Sequence, residues 1–184
     1  MNIHYIQPYR ADKNIGKAIN DAIEQISAPP RDCDGHWVCL TDHDMMWLLP
    51  DTKAHVEEIL YTTEYDVLGC MTNRLRSPEQ LVGGRFNEDD RIREHIRIAG
   101  ECWQNAGPMV VDAQGVMAGM MLCFRIRAWE AVGGFVEDTP CFEWHFDFET
   151  RKMGFKVGLM KGIYIFHAYR LWSNHPKTDT KHLI

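Results

Sequence analysis

The amino-acid sequence predicts an α/β protein whose mostly parallel sheet lies between helices. Short apolar runs alternate along the chain with longer segments in which apolar residues recur at the helical period, the pattern of strands joined by helices. The run at residues 36–40 is continuously apolar, as expected of a parallel strand covered on both faces. The 184 residues contain no internal repeat or linker. We therefore expect one domain over 1–184, with a polar tail from about residue 168.

Three strands and two helices are predicted in the first half of the chain. Apolar residues between 15 and 26 recur at helical spacing and form one stripe. Pro29 and Pro30 end that helix, because proline lacks the donor that a helix needs. Asp51, directly after Pro50, is a natural N-cap for the second helix. The strands are expected at 3–6, 36–40 and 66–71.

The second half is predicted to contain three helices and further strands. A loop at 73–87 precedes a long helix whose apolar residues between 92 and 103 share one face. Gly133 and Gly134 fit a glycine C-cap behind a short helix at 127–132. Another helix is expected at 144–153. The strands are expected at 110–111, 117–124, 155–160 and 163–166.

Charge and hydropathy narrow the range of partners. The formal net charge is −6, whereas nucleic-acid binding calls for a basic stripe, so no nucleic-acid partner is expected. No apolar run approaches the ~18 residues that span a bilayer, and the first five residues lack the features of a secretory signal. We therefore expect a cytoplasmic protein without a transmembrane segment. Three of the six cysteines lie inside apolar runs and are expected to be buried free thiols: Cys39, Cys70 and Cys123.

The first group of residues that indicates chemistry is Asp42-His43-Asp44. Both acids come just past the end of a buried strand, and an isolated carboxylate is too costly to bury in a core. They are therefore expected in the crevice beyond the carboxyl end of that strand, where open α/β sheets bind ligands. Carboxylate oxygens there suit Mg²⁺ or Mn²⁺. The alternative is an acidic loop that only caps the following turn.

His167 is the second candidate ligand. It follows the apolar run at 163–166, so it lies at the end of a predicted strand. A histidine in that position is either a metal ligand or a hydrogen-bonded residue at the rim of the core.

The order of motifs along the chain resembles the GT-A glycosyltransferases, in particular the large inverting family 2. That family shows a strand-and-helix block ending in Gly-Gly-Phe, then an acidic helix with Arg and Gly, then paired strands ending in His. The corresponding residues here are 118–125, 129–137, Asp147-Phe148 with Arg151, 154–157 and 164–167. Residues 6–10 look like the first strand and its nucleotide-contacting turn, and Asp42-His43-Asp44 falls on the Asp-x-Asp motif. The resemblance spans roughly residues 3–168.

The resemblance implies a metal-dependent transfer of a hexose from a nucleoside-diphosphate sugar to a carbohydrate or other hydroxyl acceptor, with inversion. A UDP-sugar is the favoured donor and a GDP-sugar is the alternative. Asp44 would hold Mn²⁺ or Mg²⁺ directly, Asp42 would contact the ribose and the water shell of the ion, and His167 would complete the site. The residues that would contact the nucleotide are Pro8, Tyr9, Arg10, Asp42 and Asp44.

The chain departs from the family in its nucleotide-binding half, which is abbreviated. Family members place another strand and helix between the first helix and the Asp-x-Asp strand, and here only residues 27–35 lie there. Asp32 and Asp34 are the candidates to replace the aspartate that the missing strand brings to the nucleobase. A non-catalytic relative that binds nucleotide-sugars is therefore an alternative, as is a nucleotidyltransferase or phosphohydrolase that uses the same metal site.

The second departure concerns the general base that inverting transfer requires. The Glu-Asp pair that supplies it in the family falls on Trp144-His145. Asp147 and His145 are therefore the candidate catalytic residues, with Glu143 as a third. The alternative is that all three give the helix a solvated face.

Two further features follow from the resemblance. Phe135 lies in the turn that faces the acceptor in the family, so its ring is a candidate sugar platform. Arg170 and Trp172 lie where many GT-A enzymes have a mobile segment that closes over the donor. The alternative for this last segment is a plain surface tail.

Overall fold

The computed structural model describes residues 1–27 and 35–168. Within these residues the strands are β1 (Ile3–Ile6), β2 (Trp37–Thr41), β3 (Met45–Met46), β4 (Val67–Thr72), β5 (Val110–Asp112), β6 (Met121–Arg125) and β7 (Val157–His167). The α-helices are α1 (Ile15–Ser27), α2 (Thr52–Thr62), α3 (Ile92–Ala106), α4 (Ile126–Val132) and α5 (Phe142–Lys152). Short 3₁₀ turns lie at Pro78–Gln80 and Val82–Gly84. The predicted α/β class is confirmed. Asp32, Asp34, Arg170 and Trp172 lie outside the described residues.

The seven strands form one mixed sheet, so the prediction of a mostly parallel sheet is wrong. Their order is β1-β2-β6-β4-β7-β3, and β5 also pairs with β7. Only β1–β2 and β4–β7 are parallel, while β6 is antiparallel to both of its neighbours, and β3 and β5 are antiparallel to β7. A buried strand is apolar whichever way it runs, so the apolar pattern could not give the strand directions.

Four strands nevertheless run in the same direction. Because β6 lies between β2 and β4 and is antiparallel to both, these two strands share one direction, as do their parallel partners β1 and β7. The carboxyl ends of β1, β2, β4 and β7 therefore meet at one edge of the sheet. That edge carries the residues after each strand end.

Two predicted strand boundaries differ from those observed. The expected strands at 155–160 and 163–166 form the single strand β7, because the chain stays paired through an irregularity. Its register with β4 shifts there from Cys70–Met160 to Met71–Tyr164. The strand expected from Met117 begins only at Met121, because the amide of Met117 donates to the Asp147 carboxylate instead of a neighbouring strand.

Helices cover both faces of the sheet. On one face, α1 contributes Ile19 and Ile23 to a core that includes Phe124. On the other face, α2 contributes Val56, Ile59 and Leu60 to a second core, in which the three cysteines are buried as free thiols as predicted. Full burial of each large apolar side chain contributes about 1.5–3 kcal/mol.

Helix α4 ends as the sequence predicts, at Gly133 in the left-handed conformation with φ of 80°. Phe135, two residues later, is only 3% exposed. Its ring stacks on Phe146 with centroids 4.4 Å apart. A ring with no free face cannot receive a sugar, so the prediction of a platform at Phe135 is wrong.

None of the helices within the described residues has the length and apolar character needed to cross a membrane.

Gly162, at the irregularity of β7, offers a test of this fold. A Cβ atom there would meet the backbone carbonyl of Gly107, and backbone cannot move aside as a flexible side chain can. We expect Gly162→Ala to lower the free energy of unfolding by about 1–3 kcal/mol, measured by urea denaturation.

Gly100 provides the matched control, because it lies in α3 with open space around the position of a Cβ. Gly100→Ala should raise the free energy of unfolding by about 0.5–1 kcal/mol, as alanine is the better helix former. Equal stabilities of the two variants would contradict the predicted close approach.

Candidate metal site and groove

Three predicted ligands meet at the edge where the parallel strands end. Asp42 follows β2, Asp44 precedes β3, and His167 is the last residue of β7. Pairing of Met45 with His167 brings Asp44 beside the histidine, so that Nε2 of His167 lies 3.2 Å from Oδ1 of Asp44. One ligand atom from each of Asp42, Asp44 and His167 lies within 4.8 Å of the other two.

The ring of His167 is held in a fixed orientation. Its Nδ1 lies 2.7 Å from the backbone oxygen of Arg74, and a carbonyl only accepts hydrogen bonds. In the neutral ring Nδ1 therefore carries the hydrogen, and the lone pair of Nε2 faces the carboxylates. This is the tautomer that a metal ligand needs.

Asn73 fixes the backbone of the same histidine. Its Oδ1 accepts a hydrogen bond from the His167 amide at 2.7 Å, and its Nδ2 donates to the His167 carbonyl at 3.1 Å. Both contacts are buried. The side chain of Asn73, the residue directly after β4, thus pairs with both backbone groups of His167 as a neighbouring strand would. These two bonds tie the end of β7 to the end of β4.

The charges at the site influence one another. Burial, with a further contribution from Asp44, raises the pKa of Asp42 to about 6, although His167 opposes the rise. Burial also acts to raise the pKa of Asp44, but the hydrogen bond and charge of His167 outweigh it and lower that pKa. For His167, burial acts to lower the pKa, while the contacts with Asp44 raise it. Two partly buried carboxylates this close to one another repel, and a divalent cation would relieve the repulsion.

This donor set fits the ion that the sequence predicts. Two carboxylates and one oriented imidazole offer three ligand atoms, which leaves positions for water and phosphate oxygens. Imidazole is a softer donor than carboxylate, and its presence favours Mn²⁺ over Mg²⁺.

The predicted nucleotide-contacting turn lies only partly at this site. Pro8 and Asp42 line a small cavity of about 230 Å³. Tyr9 is exposed, with its ring edge-on to that of His43 at 6.0 Å between centroids. The guanidinium of Arg10 forms ion pairs with the carboxylates of Asp12 and Asp21.

The two preferred candidates for the catalytic base differ in their surroundings from Glu143. Asp147 is 4% exposed, bonded to the Met117 amide and paired with Arg151 at 2.7 Å. These contacts give it a structural role. His145 is half-buried, and its Nδ1 has no hydrogen-bond partner among the described residues.

Glu143 lines a cavity beside the candidate metal site. With Asp42, Arg74 and Arg76 it lines a cavity of about 320 Å³, here called the inner cavity. Its Oε1 accepts a hydrogen bond from the Gly119 amide at 2.9 Å. Burial first, and then the charge of Asp42, raises the pKa of Glu143 to about 7.

The inner cavity adjoins a larger space of about 610 Å³, here called the outer groove. Glu143, Arg76 and Ala118 line both, so the two cavities are neighbours. The outer groove is further lined by Glu79, Gln114 and Trp144.

Sequence reasoning missed Asn73 and Arg74 and ranked Glu143 last. A usable signal existed for the first two, because they follow β4 as Asp42 follows β2. For the base, the alignment with the family motif favoured His145 and Asp147, which lie two and four residues after Glu143 in α5.

The chain matches no protein-family model, no curated protein and no solved structure.

Removal of a carboxylate tests the metal site. We expect Asp44→Asn to weaken Mn²⁺ binding by about 10–100-fold or more, because an amide oxygen carries no charge for the ion. Isothermal titration with Mn²⁺ alone measures the effect. Asp51→Asn is the control, since Asp51 is exposed and its side chain makes no capping bond. Unchanged affinity of Asp44→Asn would remove Asp44 from the ligand set.

The contacts of Asp147 predict a loss of stability on substitution. Asp147→Asn should lower the free energy of unfolding by about 1–3 kcal/mol, because a charge-assisted bond to Arg151 is lost. Glu149→Gln breaks the surface pair with Lys152 and should cost about 0–1 kcal/mol. Urea denaturation of both variants measures the difference, and equal midpoints would speak against a structural role for Asp147.

Proposed function

We propose that this chain is a metal-dependent glycosyltransferase of the GT-A type that moves a hexose from a nucleoside-diphosphate sugar to a carbohydrate or other hydroxyl acceptor with inversion. The observation that carries the proposal is the meeting of Asp42, Asp44 and His167 within 4.8 Å, beside a cavity that Glu143 also lines. A cation site and a candidate base in one depression are what transfer from a diphosphate leaving group requires.

The metal ligands would bind the donor. Asp44 and His167 would hold Mn²⁺, with Asp42 nearby, and the ion supplies Lewis-acid stabilisation of the leaving diphosphate. Arg76 lines the same inner cavity, and its positive charge would favour an anionic group there. The guanidinium of Arg74 donates instead to the backbone carbonyls of Asn87 and Glu88. Pro8 lines the adjoining small cavity with Asp42 and would limit the position of the nucleoside.

Glu143 would act as the base. Its carboxylate takes the proton of the acceptor hydroxyl while that oxygen bonds to the anomeric carbon, and the bond from that carbon to the diphosphate oxygen breaks with its electron pair on the diphosphate. A pKa raised to about 7 suits this role, because proton transfer is most efficient when the pKa lies near the working pH. Asp147 is already engaged by Arg151, which favours Glu143 over the preferred candidate from the sequence.

Product analysis separates this proposal from its rivals. Incubation with UDP-sugars and GDP-sugars, Mn²⁺ and carbohydrate acceptors should release an intact nucleoside diphosphate. A nucleotidyltransferase or phosphohydrolase attacks phosphorus and would release pyrophosphate or a nucleoside monophosphate. A non-catalytic relative would bind donor with Mn²⁺ and release neither. UDP is the expected nucleoside diphosphate. Release of GDP would show that the donor is a GDP-sugar.

Substitution of the base gives the sharpest kinetic test. Glu143→Gln should lower kcat by about 10²–10⁴-fold, with little change in the KM for donor, because the proton moves only in the transition state. His145→Ala should keep turnover within about tenfold, as should Asp147→Asn at a temperature where it is folded. Loss of turnover in either of these with a fully active Glu143→Gln would restore the sequence-based assignment.

The pH profile adds a second readout for Glu143. A base must be ionised to accept a proton, and burial raises the pKa of Glu143 above the ordinary carboxyl value. The kcat of the unmodified protein should therefore fall as the pH drops toward that raised pKa. The residual rate of Glu143→Gln should lack that step, and a step that persists in this variant would argue against Glu143 as the base.

A further inference from the structure

We infer that the exposed rings of Trp144 and Phe148 on helix α5 form a platform that binds a neutral sugar ring of the acceptor. The identification of that sugar as the acceptor rests on the proposed function. Trp144 is 55% exposed and Phe148 is 50% exposed. Their ring centroids lie 5.6 Å apart with the planes 10° from parallel.

The exposure of these rings is the first argument. Positions four apart lie on one face of a helix, so the rings stack on each other and also present a shared apolar surface to solvent. Full burial of such a side chain stabilises a fold by roughly 1.5–3 kcal/mol. Because both rings are about half exposed, they contribute only part of that free energy. Adjacent exposed apolar groups on an otherwise polar surface mark a binding site more often than single exposed residues do.

The second argument is continuity with the candidate site. Trp144 lines the outer groove, and Glu143 lines both the outer groove and the inner cavity with Asp42. At about 610 Å³ the outer groove lies within the range of about 300–1,000 Å³ found for small-ligand sites. A molecule in the outer groove that rests against Trp144 would therefore share that groove with Glu143.

The chemistry of the lining selects the occupant. Arg76, Glu79 and Gln114 surround Trp144 with hydrogen-bonding groups of both charges. A pyranose matches this combination, since its C–H face packs on the negative face of an aromatic ring while its hydroxyls meet polar groups at the rim. The carboxylate of Glu79 already accepts hydrogen bonds from the Gln114 and Gly115 amides. An apolar peptide would cover the rings but offer no hydrogen-bonding groups to the side chains of Arg76 and Gln114, which is costly.

The experiment uses the full chain labelled with 5-fluorotryptophan and is carried out without metal or nucleotide. The ¹⁹F resonance of Trp144 is identified by its loss in Trp144→Phe. Maltohexaose, cellohexaose and chitohexaose are titrated separately to millimolar concentration. At least one should shift the Trp144 resonance in a saturable way while those of most other tryptophans stay fixed.

Variants then locate the contact, with binding of that same oligosaccharide measured by titration calorimetry. Trp144→Ala should weaken binding by about tenfold or more, which corresponds to about 1.4 kcal/mol, and Phe148→Ala should weaken it by a smaller factor. Tyr61→Ala is the control, because Tyr61 is a 61% exposed aromatic residue on α2 and lines neither cavity. It should leave the affinity unchanged.

Three outcomes would overturn the inference. They are no shift of the Trp144 resonance with any of the three sugars, equal weakening by Tyr61→Ala and Trp144→Ala, or a dimer in sedimentation that Trp144→Ala abolishes. Because the titrations contain no Mn²⁺ or nucleotide, sugar binding can succeed while the proposed transfer fails. Conversely, Mn²⁺-dependent release of nucleoside diphosphate with no sugar bound at Trp144 would support the proposed transfer and overturn the platform.

Discussion

Strand β7 pairs with β4 on one side and with β5 and β3 on the other, and the position of the candidate site depends on this pairing. The shift in its register with β4 decides which residue ends the strand beside Arg74. Asn73 then holds that residue through both of its backbone groups. With the backbone fixed and Nδ1 bonded to Arg74, His167 has one nitrogen left to face Asp44. The site is thus organised in advance, which lowers the cost of binding an ion.

The segment that leads into the antiparallel strand β6 links the candidate metal ligands to helix α5. Its residues contact both, since the carbonyl of Met120 accepts a hydrogen bond from the Asp42 amide and the amide of Gly119 donates to Glu143. A fully parallel sheet would not bring this segment between the two groups. The same strand that makes the sheet mixed therefore sets the spacing between the proposed ion and the proposed base.

The acids at this edge of the sheet have a common electrostatic origin. Burial raises the pKa of both Asp42 and Glu143, because charged groups are poorly solvated there. Perturbed carboxyls that share a cavity are more frequent at functional sites than elsewhere. Asp66 and Asp147, which are also buried, pair with Arg127 and Arg151, and these ion pairs stabilise their charges. Asp42 and Glu143 line a cavity instead and form no ion pair with an arginine or lysine among the described residues.

The sequence by itself determined the α/β class, the main helices and strands, and the three candidate ligands, because apolar periodicity and the cost of burying a carboxylate are properties of local sequence. It did not determine the direction of β6, the continuity of β7 or the burial of Phe135, because these depend on pairing between distant segments. The choice of a candidate base among the acids of α5 also depended on the tertiary structure. Asp147 and Arg151 lie one helical turn apart within α5 and form an ion pair that local spacing allows, whereas only the packing of α5 against the rest of the fold gives Glu143 a place in the inner cavity.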